Sequence, residues 1–315
     1  MRRDVVCFAV ALFACGSIEA PAPAPAASNA TSTPGDSPTT DAPLAAAAGA
    51  ACPRPGAATV PGSIATDEVD EASGIVASTR NPDVYWVHND SGDTARAFAL
   101  SSTGKLRATL KFDTAAAIDI EDMALEDSPA GSFLYFGDIG DNAVARPSVT
   151  IHRVAEPTLT ETDPVKLTVV SEKMTVKYFD APHNAETLLF DPATKDLLIV
   201  TKVTFGKAQV HRVGPFAAGT TRTTTKIASI PVAVATGGDI SRDGKLIAVR
   251  NYGTSAFVWT RAPGEDLAAA FARASCSVPV AAEDQGEAFA FLPDTRSYVT
   301  VSEGASQPLH LTALE

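Results

Sequence analysis

Basic residues are scarce in this sequence. Its 315 residues include 25 Lys and Arg against 37 Asp and Glu, so the formal net charge is −12 and the pI is near 4.9. The basic side chains are scattered, with no cluster larger than a pair. Because proteins that bind duplex nucleic acid neutralise its phosphates with clustered Lys and Arg, nucleic acid is not an expected partner. Cations and basic ligands remain compatible with this charge.

Motifs of several enzyme classes are also absent. The sequence has no G-x-S-x-G, no H-E-x-x-H, no P-loop and no C-x-x-C, so zinc is not expected. Helical stretches are nearly absent too, and only residues 265–274 (EDLAAAFARA) are suited to one. Short runs of Val, Thr and Ile alternate with turns rich in Gly and Pro. This composition favours an all-β fold.

The N-terminus predicts export. Residues 1–15 (MRRDVVCFAVALFAC) carry two arginines and an apolar stretch that is too short to span a bilayer. Their last four residues resemble a bacterial lipoprotein signal, so we predict that Cys15 is lipidated. A plain secretory signal cut a few residues later is the alternative. Residues 16–51, rich in Ala, Pro, Ser and Thr, predict a flexible tether to a folded domain at 52–315. We therefore expect a monomeric, membrane-anchored protein of the bacterial cell envelope.

Two cysteines belong to the folded region. Cys52 lies at its start and Cys276 lies near its end. An even pair in an exported chain predicts a disulfide. Two unrelated buried thiols are the alternative.

One pattern returns five times from residue 70 onward. An acidic residue opens a short apolar strand, and a turn, a second apolar strand and more polar strands follow. The five opening residues are Glu71, Glu121, Glu186, Asp239 and Glu287. Repeats of about 40 to 50 residues with four strands each are typical of propeller blades. We therefore predict a five-bladed β-propeller. Six blades are the alternative, because residues 166–179 (KLTVVSEKMTVKYF) can hold more than one strand.

The last repeat ends after its third strand, at Glu315. A strand around residues 57–65 would supply the missing outer strand and close the ring. This arrangement places Cys52 beside Cys276, where a disulfide would hold the ring shut.

Seven stretches that together span nearly the whole domain are EASGI, YWVHNDSGD, DIEDMA, LYFGDIGDN, NAETLLFDP, TGGDISRDG and GEAFAFLPD. In these stretches the chain resembles a family of exported bacterial β-propellers that lie near the phytase-like and esterase-like propellers. The phytase-like enzymes have six blades and use calcium in an acidic central site. The resemblance therefore implies an acidic site at the channel and hydrolysis of a phosphate or another ester.

Carboxylates recur where the first strand of each repeat begins and where the second strand ends. Both ends lie on the same face of a blade, so we predict that these acids gather at one mouth of the central channel. Two turns, NDSGDT at 89–94 and GDIGDN at 137–142, supply four of them. The predicted cation ligands are Glu71, Asp90, Asp93, Glu121, Asp138, Asp141, Glu186, Asp239, Glu287 and Glu303.

Hard oxygen ligands at flexible spacing suit calcium, which is therefore the predicted cofactor. Glycines in both turns permit a backbone that exposes carbonyl oxygens to the ion. The alternative is that the acids accept backbone N–H bonds and set the register of the blades.

Three basic side chains lie near the same mouth in the sequence pattern, and we predict His88, Lys202 and Arg250 as catalytic residues. They would hold an anionic substrate and transfer protons. The predicted function is binding of a divalent cation and a small polar ligand, with hydrolysis of a phosphate or another ester. The alternative is a non-catalytic module that recognises an envelope protein or a glycan.

Overall fold

A computed structural model describes residues 51–90, 92–113, 117–160 and 164–315. In this part of the chain, twenty-two strands form five sheets. The structure confirms the all-β class and the five-bladed propeller. One short helix, α1 (Leu267–Phe271), lies inside the stretch predicted for it. Among the described residues, no helix is long and apolar enough to cross a bilayer. The predictions for the export signal, for Cys15 and for the tether fall outside the described residues, apart from residue 51.

Strands are numbered along the chain, and the strands of each blade run from the innermost to the outermost. Blade 1 contains β2 (Ala72–Ala77), β3 (Val84–Asn89), β4 (Arg96–Ser101), β5 (Leu106–Phe112) and β9 (Val165–Val169). Blade 2 contains β6 (Ile120–Ser128), β7 (Gly131–Asp138), β8 (Val149–Ala155), β10 (Glu172–Lys177) and β14 (Thr221–Thr223). Blade 3 contains β11 (Ala185–Phe190), β12 (Asp196–Thr201), β13 (Ala208–Pro215) and β15 (Thr225–Ile230).

The remaining two blades have four strands each. Blade 4 contains β16 (Ala235–Ile240), β17 (Leu246–Asn251), β18 (Ser255–Thr260) and β19 (Cys276–Pro279). Blade 5 contains β20 (Gly286–Phe291), β21 (Ser297–Ser302), β22 (Pro308–Ala313) and β1 (Thr59–Ser63).

The long second repeat does not hide a sixth blade. Residues 166–179 contribute to two strands, as the alternative required, but these strands extend existing blades. Strand β9 adds to the outer edge of blade 1, parallel to β5. Strand β10 pairs with β8 in blade 2. The extra length therefore gives blade 1 a fifth strand and blade 2 its fourth.

The N-terminal strand closes the ring as predicted. Strand β1 pairs antiparallel with β22, with Thr59 opposite Leu311. The Cys52–Cys276 disulfide is present, with a Cα–Cα distance of 5.6 Å. It ties the segment before β1 to strand β19 of blade 4. Both ends of the propeller domain are therefore fastened, and the covalent link closes a loop of 224 residues.

Four of the five inner strands are buried along their whole length. Strands β2, β11, β16 and β20 consist of buried residues only. This is expected because both faces of each blade pack against neighbouring blades, which also explains why these segments read as nearly continuous apolar runs. Large side chains such as Trp86 and Trp259 fill the space farther out. Polar side chains on the inner strands are therefore confined to special positions near the strand ends.

Candidate functional site at the channel mouth

Every first strand carries a β-bulge at the same place. In each blade the pairing with the second strand skips one residue just after the first strand begins. The skipped residues are Ser73, Glu121, Glu186, Thr236 and Glu287. A bulge leaves its extra residue unpaired and re-aims the side chain. We call the face of the ring at which the first strands begin the mouth face.

The alignment of the first strands that we predicted from the sequence is wrong in two blades, because it did not include the bulges. Glu71 and Asp239 do not occupy the positions equivalent to Glu121, which are Ser73 in blade 1 and Thr236 in blade 4. Aligning each repeat on its acidic residue ignored the extra residue of the bulge. In the second strands, the predicted Asp90, Lys202 and Glu303 do occupy equivalent positions, whereas Asp138 lies one residue before its equivalent. The residues that follow their last paired positions are Asp90, Ile139, Lys202, Tyr252 and Glu303.

Three carboxylates come together between blades 1 and 2. Asp90 follows β3 of blade 1, Asp119 precedes β6 of blade 2, and Glu121 is the bulge residue of β6. One carboxylate oxygen from each lies within 4.8 Å of the other two. We call Asp90, Asp119 and Glu121 the mouth cluster. Asp119 was not among the predicted ligands, although its spacing of two residues from Glu121 was visible in the sequence.

Gly140 of the turn GDIGDN leaves room for this cluster. A Cβ at residue 140 would lie 2.2 Å from Asp119 Oδ2 and 2.2 Å from Glu121 Oε1. Any larger residue would therefore push the two carboxylates apart. The second glycine of the turn is explained by this close approach of side chains.

The two aspartates of GDIGDN have structural partners. Asp138 accepts hydrogen bonds from the backbone N–H groups of Ile118 and Asp119 at 3.2 and 3.0 Å, and it pairs with Arg146 at 2.8 Å. Asp141 accepts from the N–H groups of Ala145 and Arg146 at 3.0 and 2.8 Å. The turn therefore holds the segment that carries Asp119, while neither aspartate belongs to the mouth cluster.

In the corresponding turn of blade 1, NDSGDT, the two aspartates have different surroundings. Asp90 Oδ1 is buried and has no hydrogen-bond partner, so it is open to a ligand. Asp93 instead pairs with Arg96 at 2.8 Å and accepts from Asn89 Nδ2 at 3.0 Å. Glu71 contributes its main chain, because its carbonyl accepts from the N–H of Asp90 at 2.8 Å.

A chain of side chains continues around the mouth from blade 3 to blade 5. Lys202 Nζ contacts the Glu186 carboxylate, and it lies 3.1 Å from the Tyr252 hydroxyl. Tyr252 in turn donates to Glu287 Oε1 at 2.8 Å. Glu303 continues this chain, because its carboxyl group is hydrogen-bonded to that of Glu287. The predicted residues Glu186, Lys202, Glu287 and Glu303 thus do lie at one mouth.

Burial and mutual repulsion favour the protonated forms of these acids. Burial, followed by the carboxylates of Glu186 and Asp90, raises the pKa of Glu121 to about 11. Burial raises the pKa of Glu186 to about 7 even though Lys202 opposes the shift. Burial and the Glu303 carboxylate raise the pKa of Glu287 to about 8. The mouth therefore concentrates negative charge that it can carry at neutral pH only with added cations or protons.

Two of the predicted catalytic residues are buried between blades. His88 is 1% exposed, and its Nδ1 donates to the Asn89 carbonyl at 2.8 Å. Arg250 is 0% exposed and pairs with Glu283 at 2.8 Å. Both side chains pack over a glycine, Gly74 and Gly286 respectively. Of the three predicted residues, Lys202 is the one that stands at the mouth.

Acids deeper in the channel join neighbouring blades. Asp239 accepts from the N–H of Phe291 in blade 5 at 3.0 Å. Asp122, which follows Glu121, accepts from the N–H of Leu188 in blade 3 at 2.9 Å. These bonds are of the kind expected from the alternative interpretation, in which acids set the register of the blades. The acids at the mouth and the acids within the channel thus have different surroundings.

Comparison with known proteins finds no family model that matches the chain and no curated protein that matches its sequence. Its function is therefore inferred from the fold and from the geometry of the channel mouth.

Proposed function

We propose that the mouth cluster binds one divalent cation, with calcium as the best fit. The separation of the three carboxylate oxygens, within 4.8 Å of one another, carries this proposal. Ligand oxygens lie about 2.4 Å from calcium, so two ligands of one ion cannot be more than about 4.8 Å apart. Asp90, Asp119 and Glu121 satisfy this limit without rearrangement.

Two further observations support a cation at this place. Asp90 Oδ1 is buried without a hydrogen-bond partner, which is costly unless a ligand satisfies it. Gly140 provides a surface over which Asp119 and Glu121 converge, and a Cβ there would fill the space. Oxygen-only donors favour calcium or magnesium over zinc, and calcium tolerates the irregular geometry better.

The ligand that we propose is a small polar anion, held by the cation on one side and by Lys202 on the other. Lys202 is 19% exposed in its side chain and lies beside Glu186. A bound cation would polarise an ester or phosphate oxygen and activate a water molecule. We therefore propose hydrolysis of a phosphate or another ester as the catalytic form of this function, in line with the resemblance to the phytase-like and esterase-like propellers.

Melting of the purified protein in calcium and in chelator tests the cation site. We expect calcium to raise Tm, because a ligand that binds only the folded state stabilises it. Glu121→Gln should abolish this response. Asp127→Asn, an exposed acid at the far end of β6, is the matched control and should keep the response. Equal Tm values in calcium and in chelator would leave the non-catalytic recognition module as the better explanation.

The proposed setting is the cell envelope, with anchoring through a lipidated Cys15. The Cys52–Cys276 disulfide supports an oxidising compartment. Cys15→Ser should release the protein from membranes into the soluble fraction. Retention of this variant on membranes would contradict the anchor and would leave the cation site unaffected.

A further inference from the structure

Exposed apolar side chains are unevenly distributed over the described part of the propeller. Seven large apolar side chains are well exposed there. Two of them, Val60 and Val170, lie at the outer edges of blades, in β1 and after β9. The other five lie in loops of the mouth face and are Ile118, Val144, Phe179, Phe205 and Tyr252.

The topology places these five side chains on three consecutive blades of the ring. Ile118 leads into β6, and Val144 lies between β7 and β8 in the same blade. Phe179 precedes β11, Phe205 follows β12, and Tyr252 follows β17. They therefore form an apolar arc over blades 2, 3 and 4. Phe205 is 87% exposed and Ile118 is 67% exposed, so neither contributes much to the core.

The rest of the mouth face is acidic. Blades 5 and 1 present an acidic arc, whose members are Asp70, Glu71, Asp284 and Glu303. Asp70 connects the two blades, since its carbonyl accepts from the N–H of Gly304 at 2.8 Å. A cavity of about 460 Å³ opens in this arc, lined by Asp70, Glu71 and Asp93 among others. Arg96 is bonded to Asp93 and Glu68, so it does not neutralise the exposed acids Asp70 and Glu71.

We propose that the mouth face docks a basic, partly apolar segment of another protein, with its Lys and Arg side chains on the acidic arc and its apolar side chains on the apolar arc. Large apolar side chains that are exposed together on one face of a protein favour an interaction site there. Complementary charge steers the partner and fixes its orientation. This interface does not depend on a bound cation, so it goes beyond the proposed cation site.

A polypeptide fits this face better than a membrane or a glycan. An anionic lipid surface would be repelled by the acidic arc. A neutral glycan would donate hydrogen bonds to the carboxylates of the acidic arc, but it would not neutralise their charge. A basic segment uses both halves at once.

Two short synthetic peptides with the same leucines, one carrying lysines and the other glutamates, provide the test. Fluorescence anisotropy in chelator should show micromolar binding of the lysine peptide only, weakened by added salt. Phe205→Ser and the double substitution Asp70→Asn with Glu71→Gln should each weaken binding about tenfold. Val60→Ser removes an exposed apolar side chain away from this face and should leave binding unchanged.

Equal binding of both peptides, or equal loss in Val60→Ser and Phe205→Ser, would overturn the proposal. Binding of a neutral oligosaccharide that is lost in Phe205→Ser, without binding of the lysine peptide, would reassign the face to glycans. None of the substituted residues belongs to the mouth cluster, so the response of Tm to calcium should survive in every variant. Loss of peptide binding and loss of the calcium response can thus be told apart.

Discussion

Gly140 shows at the scale of single residues how a turn can serve a site without supplying a ligand. The Asp119 and Glu121 carboxylates occupy the space that a side chain at residue 140 would need. The aspartates on either side of this glycine hold the backbone, as Asp138 does for Ile118 and Asp119. Two of the three proposed ligands then come from the start of the neighbouring strand β6, and the third comes from blade 1.

Gly140→Ala should therefore weaken calcium binding while leaving the fold intact. The added methyl group displaces two flexible side chains, so we expect a loss of about tenfold or more in calcium affinity and little change in Tm in chelator. Titration calorimetry measures the affinity. Gly56→Ala is the control, because a Cβ there makes ordinary contacts at 3.7 Å. Unchanged affinity in Gly140→Ala would contradict the assignment of Asp119 and Glu121.

Glu121→Gln should lower Tm in calcium, but it should keep or raise Tm in chelator. Burial favours the neutral form of this group, whose pKa is raised to about 11, so the amide should keep or raise Tm in chelator. In calcium the variant lacks a ligand, and its Tm should fall below that of the wild type. A uniform drop under both conditions would indicate a purely structural role.

At the scale of elements, strand β1 and the Cys52–Cys276 disulfide close the ring. The outer strand of blade 5 comes from the opposite end of the chain. Hydrogen bonds between β1 and β22 and the Cys52–Cys276 link therefore prevent blade 5 from separating. A propeller closed in this way depends on contacts between residues far apart in sequence.

The double substitution Cys52→Ser with Cys276→Ser should lower the free energy of unfolding by about 2–5 kcal/mol, because the disulfide restricts the unfolded chain. Denaturant unfolding measures this change. Reduced wild-type protein should match the variant, which controls for the substitutions themselves. The same midpoint for the oxidised wild type and the variant would contradict a stabilising role for the link.

The sequence was sufficient to predict the strands and their grouping into blades, but not the register between paired strands. Blade number, ring closure and the disulfide follow from strand-like runs and from where the chain begins and ends. The bulges at Ser73 and Thr236 could not be predicted, because an extra residue leaves no mark in composition or spacing. Each bulge changes which side chain reaches the mouth, so Glu71 and Asp239 were misaligned. The burial of His88 and Arg250 could not be predicted either, because these side chains pack over glycines of other strands, Gly74 and Gly286.

The charge at the mouth contributes to the pH dependence of the stability of the whole molecule. A carboxyl group whose pKa is higher in the folded protein stabilises the fold most at pH below its unfolded pKa. That contribution is lost as the pH rises through the folded pKa. The folded values for Glu186 and Glu287, about 7 and about 8, exceed the ordinary value of 4.5. Stability without a cation should therefore decline from weakly acidic to weakly basic pH.

Tm in chelator should accordingly fall by roughly 10 °C between about pH 5 and about pH 8, since one pKa unit corresponds to about 1.4 kcal/mol. Calcium bound by the mouth cluster should reduce this decline, because its positive charge favours the ionised forms of the neighbouring Glu186 and Glu287 carboxyl groups. Melting curves across this pH range measure both effects. A Tm in chelator that rises with pH would contradict the charge balance described for the mouth.

The proposed function depends on one calcium ion held by the mouth cluster. Elemental analysis of the purified protein, dialysed against calcium and then against calcium-free buffer, counts that ion. We expect one calcium per chain in the wild type and a loss of that ion in Glu121→Gln, with Asp127→Asn keeping it. Wild-type protein without calcium, or the same content in Glu121→Gln, would contradict the cation site and leave the acids as groups that set the register of the blades.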